Sequence, residues 1–231
     1  MGDMRKDYLL ERSVIVSTKD RKNTSSKKCP FCPGNESMTN PSMLALVAKD
    51  GMLQRLQDSD DFFVKNWCVR VFESKNPAVS TSPENSYSDQ PLYSEPAYGY
   101  HYIIVASSKH AETFATLDIE QWGNTLVVIQ DRLRWLYTQK GVTYISIFIN
   151  HGKNAGAVID HPHVNMISFS NIPPVIEEEA EASHRILNEK GVCPMCQTIN
   201  TEMGGPRQVL QTDSFVAFCP WAPSHPFEFW I

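Results

Sequence analysis

No run of apolar residues in this 231-residue chain approaches the ~18–20 needed to cross a bilayer, so no membrane-spanning helix is expected. No lysine- and arginine-rich tract is present either. With 21 basic and 26 acidic residues the formal net charge is −5, which argues against a dedicated nucleic-acid surface. The opening residues, MGDMRKDYLLERSV, lack the apolar core of a signal peptide. Lys6 stands where an N-myristoylation motif needs Ser or Thr. Cysteine is not scarce, but its spacing is wrong for a disulfide framework. Four of the six fall in two C-x-x-C pairs, Cys29/Cys32 and Cys193/Cys196, leaving Cys68 and Cys219 single. Without a secretion signal, such pairs point to metal or redox chemistry, and the expected location is cytoplasmic. What the chain does have is 42% hydrophobic residues, enough for a substantial core in one large domain or two small ones.

The most informative stretch runs from Asn150 to Met166, NHGKNAGAVIDHPHVNM. Before it, Thr143 to Ile149 is rich in β-branched and aromatic residues and reads as a strand; His163 to Phe169 reads as its partner. Side chains alternate across a strand, so His163 and Asn165 share one face, with His161 just ahead of them on the same side. Pro162 holds the approach to this strand extended. Gly152 and Gly156 let the loop bring backbone N–H groups to an anion, and Lys153 adds a point charge. A histidine beside a phosphate-sized nest suggests phosphorus chemistry, although His-x-His by itself also describes an ordinary pair of strand histidines.

Elsewhere, residues 13–18, 67–72 and 100–106 read as strands, and 19–28 as a solvated linker. Residues 80–98, rich in Ser, Pro and Tyr, read as a long surface loop. Cys29-Pro30-Phe31-Cys32-Pro33-Gly34 is a tight knuckle carrying two thiolates. It suits half of a zinc site, or a redox pair if a βαβ context were present. Asp118 and Gln121 suggest a capping box. Ile119, Trp122, Leu126, Ile129, Leu133 and Leu136 then form the apolar stripe of a long helix, stopped by Gly141 after Lys140. Residues 177–190 suggest an acidic, solvated helix on which His184 is incidental. Cys193-Pro194-Met195-Cys196 repeats the first knuckle, and 213–231 runs in strand-like fashion to the last residue. The order of features echoes residues 29–106, as an internal duplication with an incomplete second copy would.

Taken together, C-P-F-C-P-G-N-E, V-R-V-F-x-x-K-x-P-A-V, S-x-K-H, F-x-N-H-G-K-x-A-G-A-x-x-D-H-P-H, C-P-x-C and F-C-P-W-A-x-x-x-P-F-E-x-W-I resemble the galactose-1-phosphate uridylyltransferase family. This is a branch of the histidine-triad superfamily that includes nucleotide-sugar phosphorylases. The resemblance implies an α+β fold, an open antiparallel sheet with a long helix, repeated in tandem: a first repeat at 1–176 and the start of a second at 177–231. It implies zinc held by Cys29, Cys32, His110 and His161. It makes His163 the nucleophile that takes up a nucleoside monophosphate, oriented by the backbone carbonyl of His161, with Asn165 and Gly156 beside it in the catalytic set. Ser74, Lys75, Asn150, Gly152, Lys153 and Val158 fall on nucleotide- and phosphate-binding positions.

Three of those positions depart from the family. Ser74 replaces Asn, Val158 replaces Ser and Asn165 replaces Gln, so one donor is lost and another shortened. A lost transition-state donor costs on the order of 100- to 1,000-fold in rate. The resemblance therefore implies a uridylyltransferase-like or ADP-sugar-phosphorylase-like enzyme acting on a nucleotide sugar or dinucleotide and a phosphate acceptor, as a homodimer. The competing expectations are a nucleotide-binding protein with weakened catalysis and a nucleotide hydrolase of the histidine-triad type.

Overall fold

Strand-forming runs pair side by side in the computed structural model, which describes residues 2–17, 28–83, 89 and 91–231. In chain order they are β1 (Gly2–Lys6), β2 (Ser13–Ser17), β3 (Ser42–Lys49), β4 (Met52–Leu56), β5 (Trp67–Glu73), β6 (Ser94–Pro96) and β7 (His101–Val105). Helix α1 (Ile119–Tyr137) follows, then β8 (Tyr144–Phe148) and β9 (His163–Phe169). Six of these strands build one antiparallel sheet in the order β4-β3-β5-β7-β9-β8. A smaller sheet has the order β2-β1-β6, so the segment at 13–17 pairs away from the main sheet. Most of the expected linker, 19–27, lies outside the described residues. So do 84–88 and 90 of the expected loop at 80–98, whose described part contains β6.

Alternation gives the main sheet two different faces. On one, Leu44, Leu46, Val69, Val71, Tyr102, Ile104, Val164 and Met166 pack against Val128 and Leu136 of α1. The other carries Phe31, Val47, Trp67, Phe72, Ile103 and Val105, the partner positions of His163 and Asn165. Between Tyr98 and β7, Gly99 has φ +154°, and a Cβ there would sit 2.0 Å from the Ser168 carbonyl oxygen. Only glycine permits that approach of β7 to β9.

The expected stripe on α1 is met in part: Leu136 is buried, and Ile129 and Leu133 pack half-buried against the core. Ile119 and Leu126 are exposed, and the buried positions are Asn124, Thr125, Val128 and Leu136. Polar residues take the inward face because strand carbonyls meet them there. Gln121 Nε2 donates to the Cys68 and Ala106 carbonyls at 2.9 and 2.6 Å, and the Thr125 hydroxyl is 3.4 Å from the Ala106 carbonyl. Half of the capping box forms: the Asp118 carboxylate accepts from the Gln121 amide at 2.7 Å, while the Gln121 side chain is turned to the sheet. The helix ends at Tyr137, before Gly141.

Residues Met1–Ile172 and Pro173–Ile231 form two compact units. The second holds α2 (Pro174–Lys190), α3 (Pro194–Glu202) and the hairpin β10 (Gln208–Gln211) with β11 (Val216–Phe218). His184 on α2 is bonded to Asn188 on the next turn. The stretch 213–231 is not one long strand. After β11 only an isolated bridge, Phe218 to Trp230, continues the pairing, and Pro220, Pro223 and Pro226 interrupt the ladder between them. The second C-x-x-C is a helix start rather than a turn: Cys193 is the N-cap residue of α3.

Candidate metal centre and active site

Three separated segments meet at the Phe31 side of the sheet. In the knuckle, the Asn35 amide fixes the Cys29 carbonyl at 2.8 Å, and Gly34 turns the chain at φ +88°. Glu36, buried, accepts from the Gly34 amide, Lys65 and the Trp67 indole, tying the knuckle to β5. Beyond β7, the Ser107 hydroxyl and Lys109 both bind Glu112, which shapes the turn that presents His110. The third segment is His161-Pro162-His163, where the Ala106 amide donates to the Pro162 carbonyl and extends the β7–β9 ladder.

Here Cys29, Cys32, His110 and His161 place four ligand atoms within 4.8 Å of one another. His161 Nδ1 lies 3.7 Å from Cys29 Sγ, 3.8 Å from Cys32 Sγ and 3.3 Å from His110 Nδ1, and Cys32 Sγ is 3.4 Å from His110 Nδ1. A tetrahedron with metal–sulfur arms of ~2.3 Å and metal–nitrogen arms of ~2.0–2.1 Å has edges of about 3.3–3.8 Å, so the donor set fits a single ion. The tautomer agrees. His161 Nε2 donates to the Ser107 carbonyl at 2.8 Å, which leaves the Nδ1 lone pair for the cluster. Burial and the neighbouring Cys29 sulfur push the Cys32 thiol up to about 11. Two thiols this close ionise together only against a positive charge. This is the only such group among the described residues, and Cys193 and Cys196 do not join one.

His163 lies on the adjoining face and is 8% exposed. Its Nδ1 donates to the His161 carbonyl at 2.7 Å, and among the described residues Nε2 has no hydrogen-bond partner. Burial holds this imidazole below the usual histidine range, against the opposing pull of the His161 carbonyl. Phe31, between the two knuckle cysteines, stands edge-on to the His163 ring at 5.2 Å and to the His161 ring at 6.2 Å. The metal cluster and His163 thus share one packing element. A cleft before His163 is lined by Glu112, Phe114, Asn150, Gly152 and Ala157, among others.

The other expected residues are placed less uniformly. Gly152 and Gly156 both have positive φ and bracket a short 3-10 turn. Within it the amides of Ala155 and Ala157 donate to the Gly152 carbonyl, and that of Gly156 to the Lys153 carbonyl. Three loop donors are therefore used internally and are not directed at an anion. Lys153, Gly156 and Val158 are exposed, Val158 at 71%, and none of them lines the cleft. Asn165 is on the His163 face, partly buried. Ser74 and Lys75 follow β5 at the opposite end of the strands from His163: the Ser74 amide binds the His101 carbonyl, whereas His163 pairs with Val105. Phe31, Glu112 and His101 are not legible in the sequence as site residues. Alternation puts Asn165 and His163 on one face, and only the strand register shows that His101 joins them there.

The sequence profile of "Galactose-1-phosphate uridyl transferase, N-terminal domain" matches residues 4–173. ADP-glucose phosphorylase of Arabidopsis thaliana is 27% identical over 99% of this chain and 65% of its own length. Galactose-1-phosphate uridylyltransferase of Thermotoga maritima is 28% identical over 99% and 65%. A solved uridylyltransferase superposes with a TM-score of 0.80 at 22% identity, covering 98% of this chain and 64% of its own. The Arabidopsis thaliana ADP-glucose phosphorylase with bound ADP-glucose gives 0.69 at 22%, covering 99% and 67%. At that identity the likeness is one of fold. The chain spans about 65% of the length of the two curated relatives.

Proposed function

Since the chain belongs to the galactose-1-phosphate uridylyltransferase family, we propose that it is a nucleotidyltransferase acting through a nucleotidyl-His163 intermediate. The observation that carries this is the state of the His163 ring: Nδ1–H is held by the His161 carbonyl, so Nε2 keeps its lone pair beside the cleft. Nε2 attacks the α-phosphorus of a nucleotide sugar. An N–P bond forms as the P–O bond to the sugar phosphate breaks, and the departing oxygen keeps the electron pair. A phosphate or sugar-phosphate oxygen then attacks the same phosphorus, and the N–P electrons return to Nε2. Throughout, the His161 carbonyl stabilises the positive charge that the substituted imidazole acquires. One difficult displacement becomes two easier ones. Asn165 and Gly152, the loop glycine that lines the cleft, are assigned to the phosphate, and Ser74, Lys75 and Asn150 to the rest of the nucleotide.

The metal is assigned as zinc, bound by two thiolates and two imidazoles in a closed site whose role is to fix the knuckle, His161 and hence the approach to His163. The repeats are assigned to 1–176 and 177–231, a boundary four residues past that between the two compact units, and the active species to a cytoplasmic homodimer. Among the described residues no helix is long and apolar enough to cross a membrane, and all six cysteines are unpaired.

The test is incubation with α-labelled UDP-sugars and ADP-sugars, followed by mapping of an acid-labile adduct. Label on His163, lost in His163→Ala, is the expected result. One observation favours a second role as a nucleotide-binding protein: Val158 offers no donor, and three loop amides are already satisfied. Tight nucleotide binding without an adduct from any donor, unchanged in a Val158→Ser/Asn165→Gln double variant, would establish that role instead.

A further inference from the structure

We infer that His101 is a positioning residue for the transferring phosphate, because its ring decides which end of the Asn165 amide faces the site. The Ala78 amide N–H donates to His101 Nδ1 at 3.1 Å, so that nitrogen must present a lone pair. The ring proton then sits on Nε2, which is 3.4 Å from Asn165 Oδ1 and donates to it. An amide has a carbonyl at one end and NH2 at the other, and its carbonyl is taken. Among the described residues Nδ2 has no hydrogen-bond partner, which leaves two donors for an anionic ligand. The reverse orientation would point a carbonyl oxygen at the phosphate.

The relay is anchored in rigid structure. Ala78 packs on the cluster of Val79, Ala97 and Ile167, and the Ser74 amide is bonded to the His101 carbonyl. His101 pairs with Ile167 and Ile103 with Asn165, so the imidazole and the amide stand on one face, with Asn165 two residues from His163. The P-A-V part of the motif thereby acquires a physical purpose, since its Ala78 amide sets the tautomer of His101. This role rests on the transferase reading above.

The experiment compares His101→Phe with His101→Gln. Gln can repeat both contacts, its Oε1 accepting from Ala78 and its Nε2 donating to Asn165; Phe fills the space and makes neither. The first readout is the single-turnover rate of His163 labelling from a UDP-sugar or ADP-sugar donor. His101→Phe should slow it about 10- to 100-fold, less than the loss of an entire donor, with donor affinity unchanged. His101→Gln should recover most of the rate. In an Asn165→Ala background His101→Phe should cost nothing further. Equal losses in both backgrounds, or no recovery by Gln, would overturn the role. The second readout is the 15N–1H correlation of the His101 ring in wild-type protein. Protonation at Nε2 alone is expected; a proton on Nδ1 overturns the role and leaves the transferase reading intact. A wild-type protein that gives no adduct overturns that reading, and the positioning role with it, even if the ring proton is on Nε2.

Discussion

His161 and His163 are two residues apart and are asked to do unlike things, a division that substitution can expose. His163→Ala should abolish the adduct and leave bound metal unchanged, because the ring supplies no ligand atom and meets the cluster residues only through Phe31 and the His161 backbone carbonyl. His161→Ala should lose metal and lower the thermal midpoint, since its Nδ1 belongs to the cluster. Metal content by elemental analysis, measured beside adduct yield, separates the two. Proton affinity supplies a second prediction. Burial depresses that of His163, so the neutral ring persists below the ordinary histidine value of about 6.5. Labelling should stay level as pH falls through 6.5 and decline only at lower pH, as a rate–pH profile would show. At this scale the sequence is informative about what is local. The pair on one face follows from alternation, and the carbonyl clamp from the resemblance carried by H-P-H. His101 does not follow, because its partner is 64 positions away and the pairing register is a property of the folded sheet.

Among the elements, β5 depends on a buried ion pair. Arg70 and Asp58 are 1% and 9% exposed and joined by a salt bridge, and the Asp58 carboxylate also takes the Ser42 and Val64 amides. Burial raises the Asp58 pKa, but those amides and the Arg70 guanidinium outweigh it and the net shift is downward. A depressed carboxylate contributes stability above its unfolded pKa of ~3.9 and loses it as pH falls through the folded value. Asp58→Ala should cost about 3–5 kcal/mol at neutral pH by stranding the guanidinium, measured by denaturant unfolding. In strong acid the gap between the two proteins should narrow. None of this is legible in the sequence, and neither are β3 and β4. SMLALVAK mixes Leu, Met and Ala with few β-branched residues, so sheet context overrides helical preference. On α1 the same lesson appears in reverse. Apolar spacing locates the helix and the C-terminal half of its core face, while hydrogen bonds from Gln121 and Thr125 to strand ends make up the rest of that face.

For the whole molecule, the metal is the feature with the longest reach, and thiol chemistry can follow it. Cys193, Cys196 and Cys219 are exposed and should react with a thiol reagent at once. Cys29 and Cys32 should react only after a strong chelator has removed the ion. The thermal midpoint should then drop by several degrees, at roughly 2–4 °C per kcal/mol for a domain of this size. Simultaneous reaction of all the knuckle thiols without chelator would contradict the assignment. The motifs that carry the resemblance run from Cys29 to Ile231, and the family match at 4–173 takes in those from Cys29 to His163, the places where backbone, metal ligands and nucleophile constrain one another.

The ligands of that ion are also spread out in time. Cys32 and His161 are 129 positions apart. A ribosome adding about 5–20 residues per second needs roughly 6 to 26 seconds to travel between them. Through that interval the nascent chain offers the thiol pair without the second imidazole, and five of the six main-sheet strands are made before coordination can be completed. Metal capture is therefore a late event in the biogenesis of the sheet, and a half-ligated knuckle is its vulnerable stage, open to oxidants and to competing thiophilic metals.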